Sequence, residues 1–218
     1  MPVKNWMSSD LVTIDEDTSM MKASRLMKEN KIQHLPVLRK GSLIGIISDR
    51  DLKEAQPSKA TSLDIHELYY LLEKISVKNL MPPNLFIIKP EDTIEKAAAI
   101  MQKHNISALP VVNQTGGLEG IITKGDIFRA FVSISGIYKG KLAMGFELED
   151  TPGSIKEVTD MIRAYGGRIV SILTGSEGAS EGFRHVFIRA KDVEFEKGLL
   201  KDLERNYHVL YYMLEEMD

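Results

Sequence analysis

GIISDRD at residues 45–51 and GIITKGD at residues 120–126 are nearly the same heptad written twice, each a few residues after a Leu-Pro-Val triplet (35–37 and 109–111). In both, glycine and two isoleucines give way to a hydroxyl residue with an aspartate three places on. The apolar run reads as the end of a strand, and Ser48 and Thr123 read as the N-caps of helices, since their side-chain oxygens can accept an orphan first-turn N–H.

The likeness extends outward from the heptads. Val3-Lys4-Asn5 recurs as Val77-Lys78-Asn79, Met7 as Met81, Leu11 as Leu85, Ile14 as Ile88 and Lys22-Ala23 as Lys96-Ala97. Met27 falls on Met101, Ile32 on Ile106 and Leu35-Pro36-Val37 on Leu109-Pro110-Val111; one residue is then gained before Gly45-Ile46-Ile47 meets Gly120-Ile121-Ile122. A unit of about 55 residues buries too little surface to stand alone, so the two copies are expected to pack on each other.

Each copy predicts the same elements. Ser19 and Thr93 cap helices over 20–30 and 94–104, with Met20, Ala23 and Met27, or Ile94, Ala97, Ile100 and Met101, at helical spacing. Residues 35–38 and 109–112 are short strands, and a turn at Gly41 or at Gly116-Gly117 returns the chain through 43–47 or 118–122 as a hairpin. Between the copies, Asp64 caps a further helix with Ile65, Leu68, Leu72 and Ile75 on one face.

Composition removes several function classes. The 218 residues include no cysteine, which excludes disulfides, thiolate metal sites and a catalytic thiol. The five histidines show no metal-ligand spacing, so no metal is expected. Net charge is −3 with no basic block, which argues against nucleic acid as a partner. The first ten residues hold no apolar signal core and no run of 18 apolar residues occurs, so a soluble cytoplasmic protein without a membrane partner is expected. No P-loop, GxGxxG or nucleophile–base pair is present, and the expectation is a protein that is not an enzyme.

The duplicated order of strand, helix, Leu-Pro-Val strand and Gly-apolar-apolar-[Ser/Thr]-x-x-Asp resembles a pair of CBS domains forming a Bateman module over roughly residues 1–136. The resemblance implies adenosine nucleotide binding at Ser48, Arg50 and Asp51 and at Thr123, Lys124 and Asp126, with adenine against the strands near Pro36 and Pro110. Physical chemistry leaves two readings of the heptads side by side. Ser48-x-x-Asp51 and Thr123-x-x-Asp126 can be capping boxes that need no ligand. The same helix ends can also attract a phosphate, with the carboxylate accepting from a ribose diol. The copies differ in detail: Arg50 offers a planar fork where Lys124-Gly125 stands in the second, and His34 corresponds to Ala108.

Residues 139–218 form another unit. Leu142, Met144, Phe146 and Leu148 alternate with Lys141, Ala143, Gly145 and Glu147, the period of a half-buried strand. A helix through Ile155, Val158, Ile162 and Tyr165 follows, closed at Gly166-Gly167, then strands over 168–174 and 183–190, a helix over 194–205 and a strand over 207–213. The order βαββαβ is a ferredoxin-like split unit. With ELEDTPGSI ahead of its first helix it resembles the ACT domain, which implies an amino acid or small metabolite near Asp150 and Gly153; a glycine there lets backbone approach a ligand.

The expected fold class is therefore α/β (α+β): CBS domains at 1–60 and 77–136, a helical linker at 61–76 and an ACT domain at 139–218. Two CBS copies followed by one ACT unit resemble the bacterial acetoin-utilisation regulatory proteins, which implies a role in acetoin or carbon metabolism. The function expected is a regulatory sensor for AMP, ADP, ATP, NAD or S-adenosylmethionine. It would act as a homodimer, since sheet edges and an open sheet face are commonly covered by a second copy, with a regulated protein as its partner. An enzyme of acetoin metabolism and a ligand-free assembly subunit are the rival readings.

Overall fold

Periodicity and caps place the elements as expected, in the order β1 (Ile14–Asp15), α1 (Met20–Glu29), β2 (His34–Arg39), β3 (Ser42–Ser48), α2 (Asp49–Glu54), α3 (Ile94–His104), β4 (Ala108–Val112), β5 (Leu118–Thr123), α4 (Lys124–Ser135), β6 (Leu142–Glu149), α5 (Ser154–Ala164), β7 (Arg168–Gly175), β8 (Phe183–Lys191), α6 (Leu199–Asn206) and β9 (His208–Leu214). The structure, a computed structural model, describes residues 1–55, 72–193 and 198–215. The chain divides into two compact units, 1–127 and 128–218, with α4 running across the division. Most of the helix expected from Asp64 between the copies lies outside the described residues; residues 72–74 are helical, and Leu72 and Ile75 pack on the core of the first copy.

In the first unit, Ser19 Oγ accepts from Lys22 N and Thr93 Oγ1 from Lys96 N, each at 3.2 Å, so both expected caps form. The hairpins pair antiparallel in equivalent register, Pro36 opposite Ile46 and Pro110 opposite Ile121. β1 joins β2 in parallel, whereas the second copy reduces this to a single bridge between Ile88 and Val111.

The leading segments of the two copies are exchanged. Residues at the start of the chain hydrogen bond to the second copy: Val3 N donates to Asp92 O at 2.8 Å, Ile94 N to Met1 O at 2.9 Å, and Ser8 and Ile121 exchange two bonds at 2.9 Å. The start of the second copy returns the arrangement, with Val77 N donating to Thr18 O at 2.9 Å and Met20 N to Ile75 O at 2.8 Å. Val77 is fully buried in the first copy's core beside Leu35, Val37 and Ile47. The side chains interlock in the same sense: a Cβ on Gly45 would stand 2.5 Å from Met81 Sδ, and one on Gly120 would stand 2.6 Å from Met7 Sδ. Each core is thus completed by the other copy's leading segment.

The second unit is a four-stranded antiparallel sheet in the order β7-β8-β6-β9, the split βαββαβ arrangement. Leu142, Met144, Phe146 and Leu148 face a core shared with Val158 and Ile162 of α5 and Leu199 and Leu203 of α6. The expected alternation is only half realised, because β6 is central and Ala143 and Gly145 are buried too. The Tyr211 ring lies over Gly145, where a Cβ would meet Cε1 at 2.5 Å. The helix expected over 194–205 is observed at Leu199–Asn206, and 194–197 lie outside the described residues.

Candidate functional site

Both capping boxes are closed. Asp51 Oδ2 accepts from Ser48 N at 2.7 Å and from Ser48 Oγ at 2.6 Å, while Ser48 Oγ lies 3.3 Å from Asp51 N. Asp126 Oδ2 takes the matching bonds from Thr123 N and Oγ1, both at 2.8 Å, and Asp126 is buried at 5 % exposure. The next amides are spent across the hairpin, Asp49 N on Gln33 O and Lys124 N on Ser107 O, each at 2.9 Å. The amides of Arg50 and Gly125 have no protein acceptor among the described residues.

Each helix start opens into a cleft of about 420 Å³. The exchange of leading segments makes both composite. Ser48, Arg50 and Asp51 of the first copy face Asn84, Phe86 and His104 of the second in the α2 cleft. Thr123, Gly125 and Asp126 of the second copy face Asp10, Val12 and Lys31 of the first in the α4 cleft. Lys124, His34 and Ser107 line both.

His34 Nε2 lies 2.7 Å from Ser107 Oγ, a polar contact between copies in the wall shared by the clefts. Burial pushes the His34 imidazole below its ordinary value, against the weaker pull of Asp49 and Asp51 in the other direction. Arg50 Nε is engaged by Glu54 Oε1 at 2.8 Å in an exposed pair one helical turn apart. Pro36 lines the α4 cleft; Pro110 is not among the residues lining either, and its carbonyl accepts from Ile88 N at 3.1 Å.

The α2 cleft carries a feature absent from the sequence reading. Phe86 and His104 stack with ring centroids 3.9 Å apart and planes 24° from parallel. Their counterparts in repeat register are Val12 and Asn30, and Asn30 Nδ2 donates back to Leu26 O at 2.8 Å on its own helix. The repeat register could have flagged Phe86 as a leading-segment residue, but nothing local in the sequence says which cleft it enters.

Asp150 and Gly153 line a separate depression of about 430 Å³ with Lys156 and Arg184, and Arg184 forms an ion pair with Asp150. Gly153 is the N-cap of α5 at φ 103°, with no side-chain cap hydrogen bond. No atom of the described residues lies within 4 Å of where its Cβ would stand, so within the chain it is backbone conformation that requires glycine here. Among the described residues, no group of three or more His, Cys, Asp and Glu could hold a metal ion, and no helix is long and apolar enough to cross a membrane.

The family model of the CBS domain matches residues 3–58 and 77–133. Over 155 aligned residues the chain is 35% identical to protein MJ1426 of Methanocaldococcus jannaschii, covering 61% of this chain and 92% of that one. Over 126 residues it is 36% identical to the homoserine O-acetyltransferase of Methanosalsum zhilinae, covering 57% of this chain and 23% of the enzyme. Among solved structures, the CBS domain pair of protein MJ0100, in complex with 5′-methylthioadenosine and S-adenosyl-L-methionine, superposes with a TM-score of 0.51 at 28% identity, over 61% of this chain and 96% of that one. A Vibrio cholerae protein described as an acetoin utilization protein, AcuB, superposes with a TM-score of 0.50 at 28% identity, over 61% of this chain and 90% of that one.

Proposed function

The chain belongs to the CBS-domain family, and on that premise we propose that it is a cytoplasmic regulatory sensor whose two composite clefts bind adenosine-containing ligands, from the group AMP, ADP, ATP, NAD and S-adenosylmethionine. The observation that carries this reading is the pairing, in each cleft, of a hydroxyl–carboxylate cap with an adjacent unspent amide, on Arg50 or Gly125. Those amides suit a phosphate or carboxylate, and the Ser48 and Thr123 hydroxyls join them on turning from Asp51 and Asp126 to the ligand. The bonds that Asp51 accepts from Ser48 fall on Oδ2, which leaves Oδ1 to accept from a ribose diol; Asp126 is the carboxylate at the matching position of the other cleft. Arg50 can exchange its exposed partner Glu54 for a ligand phosphate at little cost, because such surface pairs contribute about 0–1 kcal/mol. Lys124 supplies a cation to either cleft, and Pro36 and Pro110 hold the strands behind them. The adenosine ligands of protein MJ0100 support this assignment.

The C-terminal unit is an ACT domain in this reading, taking an amino acid or small metabolite at the loop of Asp150 and Gly153; its strand order supports it. The protein is a homodimer, supported by the exposed apolar side chains of Phe128, Phe131, Ile134 and Tyr138 and by the apolar edge strand β9. Its pathway is acetoin or related carbon metabolism, supported by the likeness to the Vibrio protein, and it works by passing ligand occupancy to a regulated partner. Calorimetric titration with the five nucleotides tests the core of the proposal, and silence to all of them would leave the heptads as helix caps. Light scattering at a monomer mass of 24.5 kDa across micromolar concentrations would refute the dimer.

A further inference from the structure

The two clefts match in repeat register, cap for cap, but differ in the wall opposite the cap. In the α2 cleft that wall is the Phe86–His104 ring pair, its centroids 3.9 Å apart, with Phe86 half-buried and His104 exposed on the last turn of α3. At the matching place the α4 cleft has the aliphatic Val12, and Asn30 is turned back onto its helix. A ring pair already in contact offers a flat, polarizable surface whose ordering cost has been met in the folded protein, and a heteroaromatic base gains most from such a surface. Aliphatic and lysine side chains offer no such gain.

We infer that Phe86 and His104 form a base-stacking platform that makes the α2 cleft selective for the aromatic base of its ligand, while the α4 cleft binds without base stacking. The inference rests on the proposed nucleotide binding and adds which residues discriminate and in which cleft. Base–aromatic stacking changes affinity by roughly tenfold or more when the ring is removed. The selectivity therefore belongs to ligands with a purine or comparable base. A ligand carrying only the sugar and phosphate binds the α2 cleft independently of the platform.

The test is calorimetric titration of the full chain with AMP and with ribose 5-phosphate, in an Asp126→Ala background that leaves the α2 cleft as the site read. Phe86→Leu and, separately, His104→Ala are compared with that parent, and circular dichroism establishes that each is folded. The expected result is that both substitutions weaken AMP about tenfold or more and leave ribose 5-phosphate unchanged. Equal weakening of both ligands would make the rings structural and overturn the inference, as would AMP affinity unaltered in Phe86→Leu. Should Phe86→Leu fail to fold, Phe86→Tyr, which keeps the stack, must retain AMP affinity while His104→Ala lowers it; any other pattern overturns the inference. A wild-type chain silent to both AMP and ribose 5-phosphate would fail the nucleotide reading itself and the platform with it; a wild type that binds AMP while the parent binds neither ligand would place nucleotide in the α4 cleft alone and overturn the platform only.

Discussion

Asp51→Ala and Asp126→Ala separate the structural use of the repeated heptads from their use in binding. In the first copy the substitution removes the acceptor of two bonds, from Ser48 N at 2.7 Å and from Ser48 Oγ at 2.6 Å, and leaves a partly buried amide unsatisfied. A hydrogen bond to a charged group contributes about 1.5–3 kcal/mol, and the hydroxyl can turn to water while the amide cannot. The expected loss is therefore about 2 kcal/mol, twice that of an ordinary cap. For a chain of this size that lowers Tm by about 4–8 °C. In the wild type, nucleotide at about a hundred times its Kd stabilises by roughly 2.7 kcal/mol per site, a rise of about 5–10 °C. Each substitution should erase the contribution of its own cleft and spare the other. Differential scanning fluorimetry with and without AMP reads both quantities. A lowered baseline with the full ligand response retained would show that the carboxylates only cap their helices; an unchanged baseline would refute the energetic reading of the closed boxes.

Three further outcomes follow from the packing. Gly120→Ala should cost about 1–3 kcal/mol in urea unfolding and Gly45→Ala less, because the Cβ on Gly120 meets the Ser8 carbonyl oxygen at 3.0 Å as well as Met7, whereas that on Gly45 meets only the flexible Met81 side chain; equal costs would contradict the exchanged packing. Because burial holds the His34 imidazole below its ordinary value of 6.5, the unfolded chain takes up a proton first as pH falls; stability is fully present above that value and is lost on descending from it through the folded value, and His34→Gln should flatten this acid slope in denaturation measured from pH 8 to 5. Gly153→Ala should destabilise the C-terminal unit by about 1 kcal/mol through its φ of 103° alone, read as a lowered melting transition, and a loss well above 3 kcal/mol would point to a contact that the open surroundings of this residue do not contain.

The repeat, the four capping side chains and the helices at Met20–Glu29 and Ile94–His104 are all legible in the amino-acid order, because caps and helical faces are settled by residues within four positions of one another. Residues whose partners are distant were not legible. Ala143 and Gly145 read as the exposed half of a strand, yet β6 lies between two other strands and Tyr211 covers it, so burial there follows from strand order and not from alternation. Phe86 and His104 are 18 positions apart and carry no motif; only the return of the chain brings them together in the α2 cleft. The exchange is the clearest case. Met7 and Met81, Gly45 and Gly120 are matched pairs in the sequence, and since the copies are nearly the same, each methionine fits either glycine equally well by pattern. In the fold each methionine lies against the glycine of the opposite copy. That choice is tertiary, and it decides which side chains face each other across both clefts.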